Sequence, residues 1–135
     1  MDVKSFASEA AQQEEGRTYE VENADGEVYL RADGQPQTIT VLGVYAPAIR
    51  RVQEANMQRS TKGLRFKLDA AVTLANRIRV AQAGIKAWTL ELEGQAVPLN
   101  PENVASIMRA APWILDQNDT AMRASKDFFS KPSAS

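Results

Sequence analysis

The chain has 135 residues, with 16 Lys or Arg against 17 Asp or Glu, and so a formal net charge of −1. Its length predicts one globular domain, and an apolar fraction of 44% with a charged fraction of 24% is typical of folded proteins. Cys and His are both absent, which excludes disulfides, thiolate nucleophiles, the usual zinc sites and imidazole acid–base chemistry.

The predicted elements begin with an N-terminal arm or short helix over residues 1–16, which are rich in Ala, Gln and Glu. From residue 17 apolar and polar residues alternate, and the sequence Asn-Ala-Asp-Gly at 23–26 predicts a tight turn. A second turn leads into a β-branched run over 38–42. We therefore predict a small three-stranded antiparallel sheet within residues 17–43, because a lone hairpin is marginally stable in water.

Helical spacing of the apolar residues dominates after the sheet. It predicts four helices, over about 45–58, 64–83, 101–111 and 113–129. The third has the clearest start, with Asn100 as cap, Pro101 in the first position and a carboxylate in the first turn. Residues 130–135 are expected to form a flexible tail. The fold class is thus α+β, a single domain over 17–129 with an N-terminal sheet and a mainly α-helical C-terminal part.

The charges are segregated along the chain. Residues 1–34 hold nine acidic and three basic residues, residues 50–86 hold nine basic and two acidic residues, and residues 87–135 carry a net charge of −2. A nucleic-acid surface is one interpretation of the basic segment. Solvated faces of amphipathic helices are the other, and the near-neutral total favours it, because a dedicated nucleic-acid domain is expected to be basic.

Few residues in this chain could carry catalysis. The pairs Glu20/Glu22 and Glu91/Glu93 would each share a strand face and could hold a cation through oxygen atoms. Solvent-facing strand edges are the favoured interpretation of both pairs, and the sequence has no phosphate-binding glycine loop and no GxSxG elbow. We predict no enzyme activity, no cofactor, and neither catalytic nor metal-binding residues.

Exposed charges and large rings are the candidates for contact with a partner protein. The residues selected on this basis are Arg50, Arg51, Arg77, Arg79, Trp113, Phe128 and Phe129. Adjacent side chains on a helix point about 100° apart, so one of the two phenylalanine rings is expected to stay partly exposed. Trp113 lies at a predicted helix start, where a large ring often fills the junction between elements. Helix surface and core packing are the alternative interpretations.

Several short motifs follow one another in a characteristic order over residues 17–129. They are the run Thr38 to Gly43, Tyr45, Ile49-Arg50-Arg51, Trp88, Gly94, Val97-Pro98, Pro101-Glu102-Asn103, Pro112-Trp113-Ile114, Gln117 and Asp127-Phe128-Phe129. In this order and spacing the chain resembles the small tail assembly chaperones of long-tailed bacteriophages. Residues 1–16 have no counterpart in the resemblance.

The resemblance implies a non-catalytic assembly factor. Such a protein binds the long, helical tape-measure protein, recruits tail-tube subunits around it in the host cytoplasm, and is absent from the mature virion. No membrane partner is expected, because no apolar run approaches the length of a membrane span and the N-terminus lacks a signal-peptide core. Self-association of the acidic and basic segments is a further expectation.

Two other functions stay open at the level of the sequence. One is a structural head–tail or tail protein of the virion. The other is a small nucleic-acid-binding regulator that uses the basic segment 50–86, although nucleic acid is the less favoured partner.

Overall fold

The computed structural model describes residues 14–61 and 70–124. A three-stranded antiparallel sheet consists of Arg17–Glu20 (β1), Thr38–Val41 (β2) and Ile85–Trp88 (β3), with β2 in the centre. A separate hairpin pairs Glu91–Leu92 (β4) with Gln95–Ala96 (β5).

Four helices of ten or more residues lie within the described residues. They are Pro47–Thr61 (α1), Ala70–Gly84 (α2), Pro101–Ala110 (α3) and Pro112–Arg123 (α4). With the antiparallel sheet early in the chain and mostly helical structure later, the α+β fold class is confirmed.

The third strand of the sheet is not the segment that the sequence suggested. Both expected turns form, with Gly26 and Gly34 each at a φ of 88°, but the segment between them makes only isolated bridges with its neighbours. The strand Ile85–Trp88, which follows α2, lies beside β2 instead. The chains of β1 and β2 separate beyond their paired residues, and Tyr29 enters the gap, donating its N–H to Val21 and accepting from Gln37.

The helix boundaries depart from the sequence prediction in explicable ways. α1 begins at Pro47, since proline suits the first turn of a helix but not its interior. α3 has the expected cap, with the Asn103 N–H donating to Asn100 Oδ1 at 2.8 Å. α4 ends at Arg123, where Ala124 leaves the helical conformation.

Several predictions fall on parts of the chain outside the described residues. These are most of the N-terminal arm, the start of the helix expected over 64–83, residues 125–129 of the last predicted helix, and the tail over 130–135.

The core lies between one face of the sheet and the helices. The strands β1 to β3 and the helices α1 to α4 all contribute side chains to the core. Its fully buried members include Val21, Ile39, Val41, Ile49, Val104, Met108, Leu115 and Met122. The other face of the sheet carries polar side chains, among them Thr18 and Thr40, whose hydroxyl oxygens are 2.7 Å apart. This alternation is typical of an antiparallel sheet with one solvated face.

Gly84 allows three elements to meet closely at the end of α2. The Leu42 N–H donates to the carbonyl oxygen of Gly84 at 2.8 Å, which ties the end of β2 to the helix. A β-carbon at position 84 would collide with Cε of Met122, and would lie 3.0 Å from its Sδ and 3.3 Å from Cδ1 of Ile49. The missing side chain therefore leaves room beside α2 for the buried end of Met122.

We expect Gly84→Ala to lower the free energy of unfolding by about 1 kcal/mol, because the flexible but buried end of Met122 must move to admit the added carbon. Urea unfolding of the two proteins measures the difference. In a double-mutant cycle with Met122→Ala, the paired change should cost less than the sum of the single changes, since the shorter side chain makes room. Strictly additive costs would show that Met122 is not the obstacle.

Candidate protein-binding site

An apolar groove of about 360 Å³ lies between the β1–β2 connection, the β4–β5 hairpin and the junction of α3 with α4. Its walls are formed mainly by Val21, Tyr29, Leu90, Leu92, Ile107, Ala110 and Ile114. Most of these side chains are buried or half-buried, but Leu92 is 63% exposed and forms the outer rim. The groove can thus accept apolar side chains of a partner.

The β4–β5 hairpin holds Leu92 at the rim. Its two-residue turn places Glu93 and Gly94 at φ of 52° and 76°, the left-handed region used by tight hairpin turns. The base of the hairpin is held by Trp88, whose indole N–H donates to the Val97 carbonyl oxygen at 2.8 Å. Leu90 lies buried behind the rim.

Glu91 joins this hairpin to the β1–β2 connection. Its carboxylate accepts the Ala32 N–H at 2.8 Å and lies 3.4 Å from Nε of Arg31. Its own N–H donates to Oε1 of Gln37 at 3.1 Å. The Glu91/Glu93 pair considered from the sequence therefore includes a structural carboxylate that fixes one wall of the groove.

Trp113 supports the opposite wall. It is half-buried, and its indole N–H donates to the hydroxyl oxygen of Tyr29 at 3.0 Å. Because Tyr29 and the neighbouring Ile114 both line the groove, Trp113 positions the wall rather than facing a partner across the groove.

The four candidate arginines do not form one site. Arg77 lies between two carboxylates of α4, with Nη2 2.6 Å from Asp116 and Nε 2.7 Å from Asp119. Arg79 is exposed and donates to the side chain of Asn76 at 2.9 Å. The remaining two, Arg50 and Arg51, are exposed on α1, and Phe128 and Phe129 lie outside the described residues.

Sequence reasoning missed most of the groove. Leu92 and Tyr29 follow a strand-like alternation that gives no sign of a shared cavity, and Ile107 looks like any core position of an amphipathic helix. The groove forms because Glu91 joins segments about 60 residues apart, as its separations of 59 and 60 positions from Ala32 and Arg31 show. No local pattern encodes such a contact.

Within residues 14–61 and 70–124, no group of three or more carboxylates is arranged to hold a metal ion. No helix in these ranges is both long and apolar enough to cross a membrane. Comparison with protein-family models, curated proteins and solved structures gives no match to this chain. Arguments about function therefore depend on the residues and geometry of the chain.

The side chain of Asn118 fixes the position of α4 against β1. Asn118 is fully buried, and its Oδ1 accepts the Tyr19 hydroxyl proton at 2.9 Å. Burial raises the pKa of Tyr19 well above its ordinary value, and the nearby charge of Asp119 raises it further. The phenol therefore stays protonated in the folded chain at a pH where it ionises in the unfolded chain.

This difference predicts a loss of stability at alkaline pH. Above the usual tyrosine pKa of about 10, the unfolded state loses a proton that the folded state keeps, so the free energy of unfolding falls as pH rises. Between pH 8 and 11 we expect the wild type to lose about 1.4 kcal/mol more than Tyr19→Phe, measured by urea unfolding at each pH. Equal pH dependence of the two proteins would contradict the assignment.

The hydrogen bond between Trp113 and Tyr29 should contribute about 1 kcal/mol of coupling energy. A double-mutant cycle with Trp113→Phe and Tyr29→Phe measures it, because each change removes the bond and keeps an aromatic ring. Once either partner is changed, the second change should cost less by that amount. A coupling energy near zero would show that Trp113 does not hold Tyr29 in place.

Proposed function

We propose that this protein is a non-catalytic tail assembly chaperone of a long-tailed bacteriophage. In this proposal it binds the tape-measure protein and recruits tail-tube subunits in the host cytoplasm, and it is not retained in the mature virion. The apolar groove is the observation that carries the proposal, together with the resemblance in motif order over residues 17–129.

The groove has the chemistry that a helical partner requires. An amphipathic helix docks by placing side chains at i, i+3 or i+4, and i+7 into an apolar channel. The tape-measure protein, as the resemblance implies, is long and helical and offers such a face. Leu92 would be covered in the complex, and burying one leucine side chain contributes about 1.5–3 kcal/mol.

The pairing of Arg77 weakens the nucleic-acid alternative at one position of the basic segment. Arg77 belongs to the basic segment, but Asp116 and Asp119 neutralise it at distances of 2.6 and 2.7 Å. A residue paired in this way contributes little to the clustered positive charge that binds phosphates. The structure thus favours the solvated-face interpretation at this position.

We expect Leu92→Glu to reduce retention of the co-expressed cognate tape-measure protein at least about tenfold, because the change puts a carboxylate in a desolvated contact. Leu30→Glu is the matched control, since Leu30 is 60% exposed, close to the 63% of Leu92, and does not line the groove. Both exposed changes should leave the thermal melt nearly unchanged. The measurement is co-purification at low salt, quantified against the wild type.

Three results would count against the proposal. If Leu92→Glu and Leu30→Glu retained the partner equally well, the groove would not be the contact surface. If the unchanged protein retained neither the tape-measure nor the tube protein at low salt, the chaperone proposal would be wrong. If it were recovered in stoichiometric amounts from purified particles, the structural virion alternative would replace the chaperone.

A further inference from the structure

The strand β1 forms an edge of the three-stranded sheet, and half of its backbone groups point away from β2. In an antiparallel pair, successive residues direct their backbone groups alternately to the partner and away from it. Val21 donates its N–H to Gln37 at 2.9 Å, and Tyr19 shares this register, so both point toward β2. Thr18 and Glu20 point outward, and no backbone hydrogen bond among the described residues engages them.

Two residues after Glu20, a side chain forms hydrogen bonds with the backbone groups that point outward from this edge. Glu22 has the same outward orientation as Glu20, and its N–H donates to Oε1 of Gln117 at 2.8 Å. In return, Nε2 of Gln117 donates to the Glu22 carbonyl oxygen at 2.7 Å. The primary amide of Gln117 thus takes the place of one peptide group of an added strand. Among the described residues, the edge has no backbone partner only before this point, at Thr18 and Glu20.

A cleft of about 350 Å³ runs beside the open edge, between β1 and α4. On the helix side its wall includes Thr120 and Ala121, whose small side chains leave room next to the strand. Glu20 lines the cleft, and Thr18 lies just outside it. A neighbouring strand lies about 4.8 Å from its partner, so an extended segment that continues from the cleft along β1 would be within hydrogen-bonding distance of both residues.

We infer that this edge binds an extended, basic segment of a partner protein, which adds to β1 as a further strand. Backbone hydrogen bonds to Thr18 and Glu20 give such a complex its affinity, and side chains at alternate positions give it specificity.

The charge of the cleft selects a basic segment. Its wall carries three carboxylates, those of Glu20, Glu22 and Asp116, against one basic side chain, that of Arg17. Asp116 is already held by Arg77 at 2.6 Å. No ion pair among the described residues engages either glutamate, so both are available to Lys or Arg side chains of the incoming strand.

A single segment fits this edge better than the sheet of a second copy. Because Gln117 pairs with Glu22, α4 lies beside the edge. The sheet of a second copy would collide with that helix, whereas a single strand would not. The inference does not depend on the proposed function, because the cleft and the apolar groove share no lining residue.

The test uses the full chain, labelled with ¹⁵N, and an acetylated and amidated peptide of sequence TKTKTKT. NMR titration gives the affinity, and amide hydrogen exchange reports on the edge. We expect exchange at Thr18 and Glu20 to be open in the free protein and to slow at least about fivefold with bound peptide. The same peptide N-methylated at its internal nitrogens should lose binding, because it lacks the backbone donors.

Thr18→Pro is the decisive variant. It removes an outward N–H, which an edge strand tolerates, and it should weaken the affinity for TKTKTKT about tenfold. Thr18→Val is the control, because it also removes the hydroxyl bonded to Thr40 but keeps the N–H, and it should change the affinity less than about twofold. If Thr18→Pro fails to fold, Glu20→Lys tests the charge and should also weaken binding.

Four outcomes would overturn the inference. Slow exchange at Thr18 and Glu20 in the free protein would mean that this chain covers its own edge. Equal binding of the N-methylated peptide, or of TETETET, would exclude strand addition or the basic preference. A dimer that Thr18→Pro dissolves would assign the edge to a second copy. Because Leu92→Glu should leave peptide binding unchanged, failure here is distinguishable from failure of the groove proposal.

Discussion

The buried hydrogen bond between Tyr19 and Asn118 is the constraint on which both surfaces depend. A fully buried amide is costly unless its polar atoms are paired, so Asn118 admits one position of α4 relative to β1. Once that position is set, Gln117 meets the backbone of Glu22, and Trp113, about one turn earlier, meets Tyr29. One buried pair thus fixes the register of the whole helix.

The helix α4 is a shared wall of two surfaces with different chemistry. Ile114 faces the apolar groove, and Gln117 faces the polar cleft beside β1. The groove suits the apolar side of a helix, whereas the cleft suits the backbone of a strand, so one partner cannot satisfy both in the same way. The function proposed above requires two such surfaces, one for each partner.

The structural features that could be predicted from the sequence are those that depend on residues close together in the chain. The turn at Gly26 and the start of α3 at Asn100 follow from conformational preferences and capping within four residues. The assignment of β3 to the sheet and the pairing of Glu22 with Gln117, 95 positions away, depend on packing between distant segments. No periodicity carries that information, so the α+β class was predictable and the groove was not.

The same distinction applies to charge. The sequence contains an acidic segment and a basic segment, but the fold pairs some of those charges within the molecule. Arg77 forms an ion pair with Asp119 of α4, and the Glu91 carboxylate holds the β4–β5 hairpin by accepting the Ala32 N–H. Glu20 and Glu22 make no ion pair among the described residues, and they lie beside the edge of β1, where no described residue bonds the outward backbone groups of Thr18 and Glu20. Charges that folding leaves unpaired, beside backbone groups that it also leaves unpaired, are therefore the better guide to a partner than the segment totals.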